Sequence, residues 1–479
     1  MTDKAISRRD FLKIAGAASA ALPLTHVVGT VNGENILYSP EKYGGFLIRE
    51  RSAETPPYEV DDSVYKRFDQ KNEVFSRQLW DPIIQESEAP YANMVPENIM
   101  GNVKGKTRLD YAFYTAAWTV ATTIGSASGA VGGSNGGLYS WNPLGGFTGQ
   151  LYGLPPRMDY GDRSAEEMSD IVKTAAKFYG ASLSGIAEVD ERWVYSQRYT
   201  KGYGGQSVGT MVSAPIKFDA DAQSPAELED GTLIIPKSMK HVIVMAFEMD
   251  ADGMATYIAG PGAAATGNGY SRMTFTAPTL AEFIRGLGYQ AIPCGNCTGM
   301  SVAMAIDAGL GELGRNGLLI TPKYGPRVRL AKVFTDMPLV ADKPISFGAE
   351  EFCEVCGKCA EYCPSGAIPF EKEKTWAPTY DAPSHISSNP GVKKWYVNTA
   401  ACHLTWAQEG MDCSLCIRTC PFNKPEGWLH EATRALIGAE GGALDKIILA
   451  MDDASGFGDQ KDPDEFWKTK EVFIHTKEA

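Results

Sequence analysis

Eight of the ten cysteines in this 479-residue chain fall between Cys353 and Cys420, and their spacing narrows what that stretch can become. Cys353, Cys356, Cys359 and Cys363 are spaced C-x2-C-x2-C-x3-C and followed by Pro364. Cys402, Cys413, Cys416 and Cys420 form a second set with a longer first gap, again followed by a proline. A dense run of four thiolates ending in Cys-Pro is the pattern that binds a cubane 4Fe-4S cluster. Zinc sites normally use two separated pairs of ligands. A disulfide scaffold needs a far higher cysteine density than this chain has. Two clusters side by side carry single electrons, which implies electron entry but not what is reduced.

In two-cluster ferredoxins the fourth cysteine of a run serves the other cluster. That exchange assigns Cys353, Cys356, Cys359 and Cys420 to one 4Fe-4S cluster, and Cys363, Cys402, Cys413 and Cys416 to the other. The remaining two, Cys294 and Cys297, form a C-x-x-C that can be a redox pair or a pair of ligands. With eight cluster ligands already found, a packing role is the expected one.

A chain of this length spans two to four domains and buries a core without staples. Its apolar and charged contents, 44% and 22%, are those of an ordinary globular protein. Forty-five basic against fifty-eight acidic residues give a net charge of −13, which argues against a nucleic-acid partner. Residues 7–13 read SRRDFLK, with Arg8 and Arg9 adjacent, and a short apolar stretch follows. This is a twin-arginine export signal over residues 1–33, too short to span a bilayer. Its removal takes away two net positive charges and leaves −15.

Residues 34–157, rich in Tyr, Gly and Pro, read as a loop-rich N-terminal unit. In the segment 158–346, Ser164 opens a capping-box pattern before a helical face of Met168, Ile171, Val172, Ala175 and Phe178 that Gly180 stops. LSGIAEV, HVIVMAFEM and VRLAKVF read as strands, and PTLAEFIRGLGY and SVAMAIDAGLGELG as helices, which implies an α/β layered core. The polar stretch of about 194–236 reads as an insertion. Residues 347–424 form the iron-sulfur domain and 425–479 a C-terminal unit. Two nucleotide-loop patterns fail: GNVKGKT at 101–107 is one residue short between its glycines, and the glycine string at 125–137 lacks the dinucleotide spacing.

The ordered series SRRDFLK, RFDQKNEVFSR with LWDP, RWVYS, GYSRM, LGYQAIP, AGLGELGRNGLLITPKYGPRVRLAKVFTDMPL and CPFNK resembles the respiratory corrinoid-dependent reductive dehalogenase catalytic subunits along nearly the whole chain. The resemblance implies an α+β fold: a nitroreductase-like α/β core holding a cobalamin-type corrinoid, with a bacterial ferredoxin-like domain carrying two 4Fe-4S clusters. None of the six histidines sits in a D-x-H-x-x-G motif, so a base-off corrinoid without a protein ligand is expected.

Matched by motif, Tyr270 in GYSRM corresponds to the family's proton donor, Arg329 in GPRVR to the arginine beside it, and Asn296 in AIPCGN to a pocket asparagine. Taken alone, these residue types are more often packing, solvated and turn residues. Trp118, Tyr270, Trp376 and Trp395 are candidate pocket aromatics. The implied function is respiratory reductive dehalogenation, in which the cob(I) state removes halogen from an organohalide, expected to be a chlorinated hydrocarbon, and Tyr270 protonates the product. Implied partners are a small integral membrane anchor subunit and a donor linked to the quinone pool, at the outer face of the cytoplasmic membrane; a homodimer stays open. Two other classes compete. One is a non-catalytic two-cluster electron-transfer protein, and the other a corrinoid reductase similar to epoxyqueuosine reductase, which the export signal and the acidic charge oppose.

Overall fold

The computed structural model describes residues 26–124, 137–146, 161–201, 211–380, 384–423 and 456–468, apart from positions 32, 33, 45, 53, 54 and 457, together with positions 151 and 155. The twin-arginine motif, the glycine string except Gly137, and most of 425–479 lie outside the described residues.

At the centre is a sheet of four strands, β1 (Leu183–Glu188), β2 (His241–Glu248), β3 (Ala291–Cys294) and β4 (Val328–Thr335), in the order β3-β4-β2-β1. Every pairing is antiparallel. Alternation of strands and helices along the chain therefore does not produce a parallel sheet here, and the α+β class is the correct one.

The apolar run HVIVMAFE is buried on both faces because successive side chains point in opposite directions. Ile243, Met245 and Phe247 face α1 (Ala165–Phe178) and α2 (Gly260–Gly286). Val242, Val244 and Ala246 face α3 (Ser301–Asp307) and a second sheet. The α1 helix starts as its sequence predicts, with Ser164 and Glu167 capping each other's backbone N–H groups.

Three expectations need correction. The polar insertion is built of strands. Gln197–Lys201, Met211–Asp219, Leu233–Pro236 and Ala226–Glu227 form a four-stranded sheet, and Ile216, Leu233 and Ile235 join the core. The helix expected at PTLAEFIRGLGY is the last part of α2, which begins at Gly260 and runs through GYSRM and an internal Pro278. Five glycines and two prolines hide it from propensity; tertiary packing overrides them. Finally, the N-terminal unit holds more helix than its composition suggests: Val74–Arg77, Pro82–Glu88 and Arg108–Ala117 are each started by a side-chain cap from Glu73, Asp81 and Thr107.

The first described strand, His26–Val31, lies inside the segment expected to be signal and pairs with Glu34–Tyr38. That sheet continues through Leu47–Glu50 to Ile345–Ser346, at the threshold of the iron-sulfur domain. There, α4 (Ala349–Cys356), α5 (Lys358–Glu361), α6 (Thr399–Glu409) and α7 (Leu415–Arg418) carry the cysteines or their neighbours. Among the described residues, no helix is long and apolar enough to cross a membrane.

Candidate active site

Tyr270, Asn296 and Arg329 reach one point from three elements: α2, the turn between β3 and α3, and β4. Asn296 Nδ2 donates to the Tyr270 hydroxyl at 3.2 Å. The Arg329 guanidinium lies over the Tyr270 ring, 5.1 Å from its centroid, close enough for a cation–π contact. Trp118 stacks on the same ring at 4.7 Å with 23° between the planes.

Two glycines make this crowding possible. An added Cβ on Gly267 would stand 2.3 Å from Trp118 Cδ1, and one on Gly269 would stand 2.9 Å from Arg329 Cγ. Glycine within GNGYSRM, costly to a helix, lets the two neighbours of Tyr270 close in.

These four residues line a cavity of about 870 Å³, near the top of the roughly 300–1,000 Å³ range of cofactor and ligand sites. Tyr195 donates to the backbone carbonyl of Asn296 at 3.3 Å and so fixes its turn. Met249 Sδ accepts from Arg329 Nε at 3.3 Å. The N-terminal unit closes one side with Glu73 and Phe75, and the iron-sulfur domain closes another with His403, Trp406 and Asp412. Burial pushes the Glu73 carboxyl up to about 7 against the backbone N–H groups it accepts from. Burial also raises Asp412, to about 6, opposed by the Tyr257 hydroxyl and the Arg329 charge.

Trp118 Nε1 and Asp412 Oδ1 are buried at the cavity without a hydrogen-bond partner among the described residues. Such orphans mark places where a bound group completes the hydrogen bonding. A corrinoid, whose rim carries amide donors and acceptors around an apolar macrocycle, fits that combination of size, aromatic lining and orphaned polar atoms.

Two pocket expectations fail. Trp376 is 41% exposed, and Trp395 is buried beneath Arg315 instead of at the cavity. The residues that replace them, Phe75, Trp193 and Tyr195, sit in the RFDQKNEVFSR and RWVYS motifs, so the signal was present without a role attached. Cys294 and Cys297 are buried in the core beside Ile292 and Met304. A hydrogen bond from Cys294 lowers the Cys297 thiol, and burial raises that of Cys294. Nearby Lys332, also buried, donates to the Gly295 carbonyl at 2.6 Å and to Ser301 Oγ at 2.9 Å.

The cysteines gather in two adjacent sets. Cys353, Cys356, Cys359 and Cys420 line one small pocket. Cys402 is raised by burial and then by Cys413 and Cys363; Cys416, raised by burial, responds to Cys402, Cys413 and Cys363, and to Cys359 of the other set. Thiols that raise one another in this way need a cationic partner, which deprotonates them on binding. Among the described residues, no three His, Cys, Asp or Glu side chains close on a single-ion position. Four thiols lining one pocket suit a cluster in which each thiolate takes its own iron.

Residues 352–423 match the family described as a 4Fe-4S double cluster binding domain. Over 348 residues the chain is 38% identical to a tetrachloroethene reductive dehalogenase of Desulfitobacterium hafniense, covering 69% of this chain and 60% of the relative. Against the tetrachloroethene reductive dehalogenase of Sulfurospirillum multivorans it is 41% identical over 307 residues, with coverages of 64% and 60%. The chain thus spans about 60% of the length of these curated relatives. A solved reductive dehalogenase, reported with a mechanism for B12-dependent dehalogenation, superposes with a TM-score of 0.59 at 20% identity, over 85% of this chain and 49% of that one. At that identity the likeness speaks to the fold.

Proposed function

We propose, from the premise that this chain is a relative of the reductive dehalogenases, that it removes halogen from a small organohalide and releases halide, with a chlorinated ethene as the first substrate to try. The observation that carries this reading is the meeting of Tyr270, Asn296, Arg329 and Trp118 on a cavity that is also lined by His403 and Asp412, the chain neighbours of Cys402 and Cys413.

The balance is two electrons and one proton taken up for each carbon–halogen bond replaced by carbon–hydrogen. Cys353, Cys356, Cys359 and Cys420 would hold one 4Fe-4S cluster and Cys363, Cys402, Cys413 and Cys416 the other, which accounts for electron entry. A base-off corrinoid in the cavity would supply the low-valent cobalt chemistry that breaks the carbon–halogen bond. The protein's own part is the proton. Tyr270 gives its hydroxyl proton to the product carbon. Arg329, fixed over the ring, stabilises the phenolate left behind, and Asn296 Nδ2 strengthens its hydrogen bond to that oxygen once it is charged. Trp118 confines the ring, and the apolar lining keeps water from competing as a proton source.

The cellular setting belongs to the same proposal. Arg8 and Arg9 route the chain outward, and a small membrane subunit connects it to a quinone-linked donor. The deciding experiment is turnover of purified holoprotein against chlorinated ethenes, alkanes and aromatics, with metal analysis. About eight irons, from two four-iron cubanes, with one cobalt and halide release are expected. Iron without cobalt or turnover would point instead to an electron-transfer protein.

A further inference from the structure

Arg315 is among the most deeply buried side chains of the described residues, at 1% exposure. No carboxylate of the described residues pairs with it. Instead its guanidinium donates to backbone carbonyls: Cys353 from Nε at 3.0 Å and from Nη2 at 2.8 Å, and Pro369 and Glu371 from Nη1 at 2.8 and 2.6 Å. The Trp395 ring covers it at 4.6 Å. Lys374, also near that ring, is paired with Glu350 and so adds little net charge. Burying an unpaired charge is costly, and its placement needs a reason.

The placement is specific. Arg315 sits between Glu312–Leu313 and Leu319–Ile320, two short strands of a hairpin, and its side chain lines the pocket ringed by Cys353, Cys356, Cys359 and Cys420. Phe352 and Phe422 wall the same pocket, so the charge acts through a dry medium. The two bonds to the Cys353 carbonyl hold the guanidinium against the backbone of a cysteine of that set. The second cysteine set has different surroundings. There the buried Asp412 directly precedes Cys413 and accepts from the Tyr257 hydroxyl at 2.8 Å, while Glu409 is paired with Lys106. Arg418, on that side, donates to the Tyr257 carbonyl at 2.5 Å.

Iron-sulfur potentials follow net charge, hydrogen bonds to the sulfurs and solvent exposure. We infer that Arg315 raises the midpoint potential of the cluster held by Cys353, Cys356, Cys359 and Cys420, making it the higher-potential member of the pair. Arg315 does this as a positioning charge. When one electron from an external one-electron donor takes that cluster from its 2+ to its 1+ state, the guanidinium offsets the added negative charge. No bond forms and no proton moves. An electron therefore rests first on the cluster beside Arg315, and the set adjoining the cavity is the stronger reductant.

This inference rests on the cluster assignment in the proposed function, which iron content decides separately. Holoprotein with full iron is titrated with dithionite and the two reduction steps are followed by electron paramagnetic resonance. The parental protein should show two separated one-electron steps. In Arg315→Met the upper step should move down by at least tenfold in the reduced-to-oxidised ratio, about 59 mV for one electron, with the lower step unmoved. Arg315→Lys, which keeps the charge, should move it by less than threefold. An upper step unchanged in Arg315→Met, or both steps moving together, would overturn the inference. Should Arg315→Met fail to keep its iron, the parental titration decides: coincident steps refute the unequal pair, and separated steps with Arg315→Lys holding the upper one in place support it.

Discussion

Replacing Tyr270 by Phe deletes one oxygen and leaves the ring. The stacking on Trp118 at 4.7 Å and the Arg329 contact at 5.1 Å both use the ring, so they survive. The structural loss is a single hydrogen bond, from Asn296 at 3.2 Å, worth about 0.5–1.5 kcal/mol. That loss alone would slow turnover by roughly tenfold at most. A positioned general acid contributes about 10²–10⁴-fold, or roughly 3–5 kcal/mol of barrier. The two readings are therefore separable by size. Tyr270→Phe should keep parental iron, cobalt and visible spectrum while its turnover of a chlorinated ethene, driven by a reduced viologen, falls at least 100-fold. Arg329→Lys keeps a charge without the planar fork and should lose an intermediate amount. Tyr270→Phe turning over at the parental rate with full cofactor content would show that the proton comes from elsewhere.

Gly267→Ala favours the helix by about 1 kcal/mol, yet its methyl would stand 2.3 Å from Trp118; turnover should fall at least tenfold with Tyr270 intact, and parental kinetics would refute the close-approach argument. Glu73, raised from 4.5 to about 7 by burial, binds its proton more tightly in the folded state, so the stability it allows is full below about pH 4.5 and is lost as pH rises toward 7. Glu73→Gln should flatten that slope in urea unfolding, by no more than about 3 kcal/mol because the group faces the cavity, and an unchanged slope would count against the burial. Lysine at both Arg8 and Arg9 should leave precursor in the cytoplasm on cell fractionation; normal export would remove the signal assignment.

Legibility in the sequence followed the range of the interactions. The α1 helix was readable because Ser164, Glu167 and the apolar face all act within a few turns, and the two cysteine sets because ligand spacing is a local constraint. The α2 helix was not, since Gly260 to Pro278 is unfavourable locally and is held by packing against Trp118, Arg329 and the sheet. The insertion looked polar because a strand such as Met211–Asp219 alternates buried Ala214 and Ile216 with exposed Ser213 and Lys217. Tyr270, Asn296 and Arg329 came from motif resemblance; composition offers no reason to join residues from a helix, a turn and a strand. The misplaced Trp376 and Trp395 show the limit of aromatic content as a guide, whereas Arg315, a residue type expected at the surface, turned out to be buried.

The sheet that links Leu47–Glu50 to Ile345–Ser346 joins segments roughly 300 residues apart. Closure of a loop of that size has to wait until residue 346 has been made, so this edge forms after the central sheet's strands are already available. Such high contact order slows folding and leaves partly built states exposed for longer. The apolar cluster behind the sheet, from Phe46 and Ile48 to Phe347, Phe352 and Phe422, shares Cys420 and borders Cys356. The same apolar cluster thus packs against both the first cysteine set and this long-range strand pairing, so the two share one stretch of core.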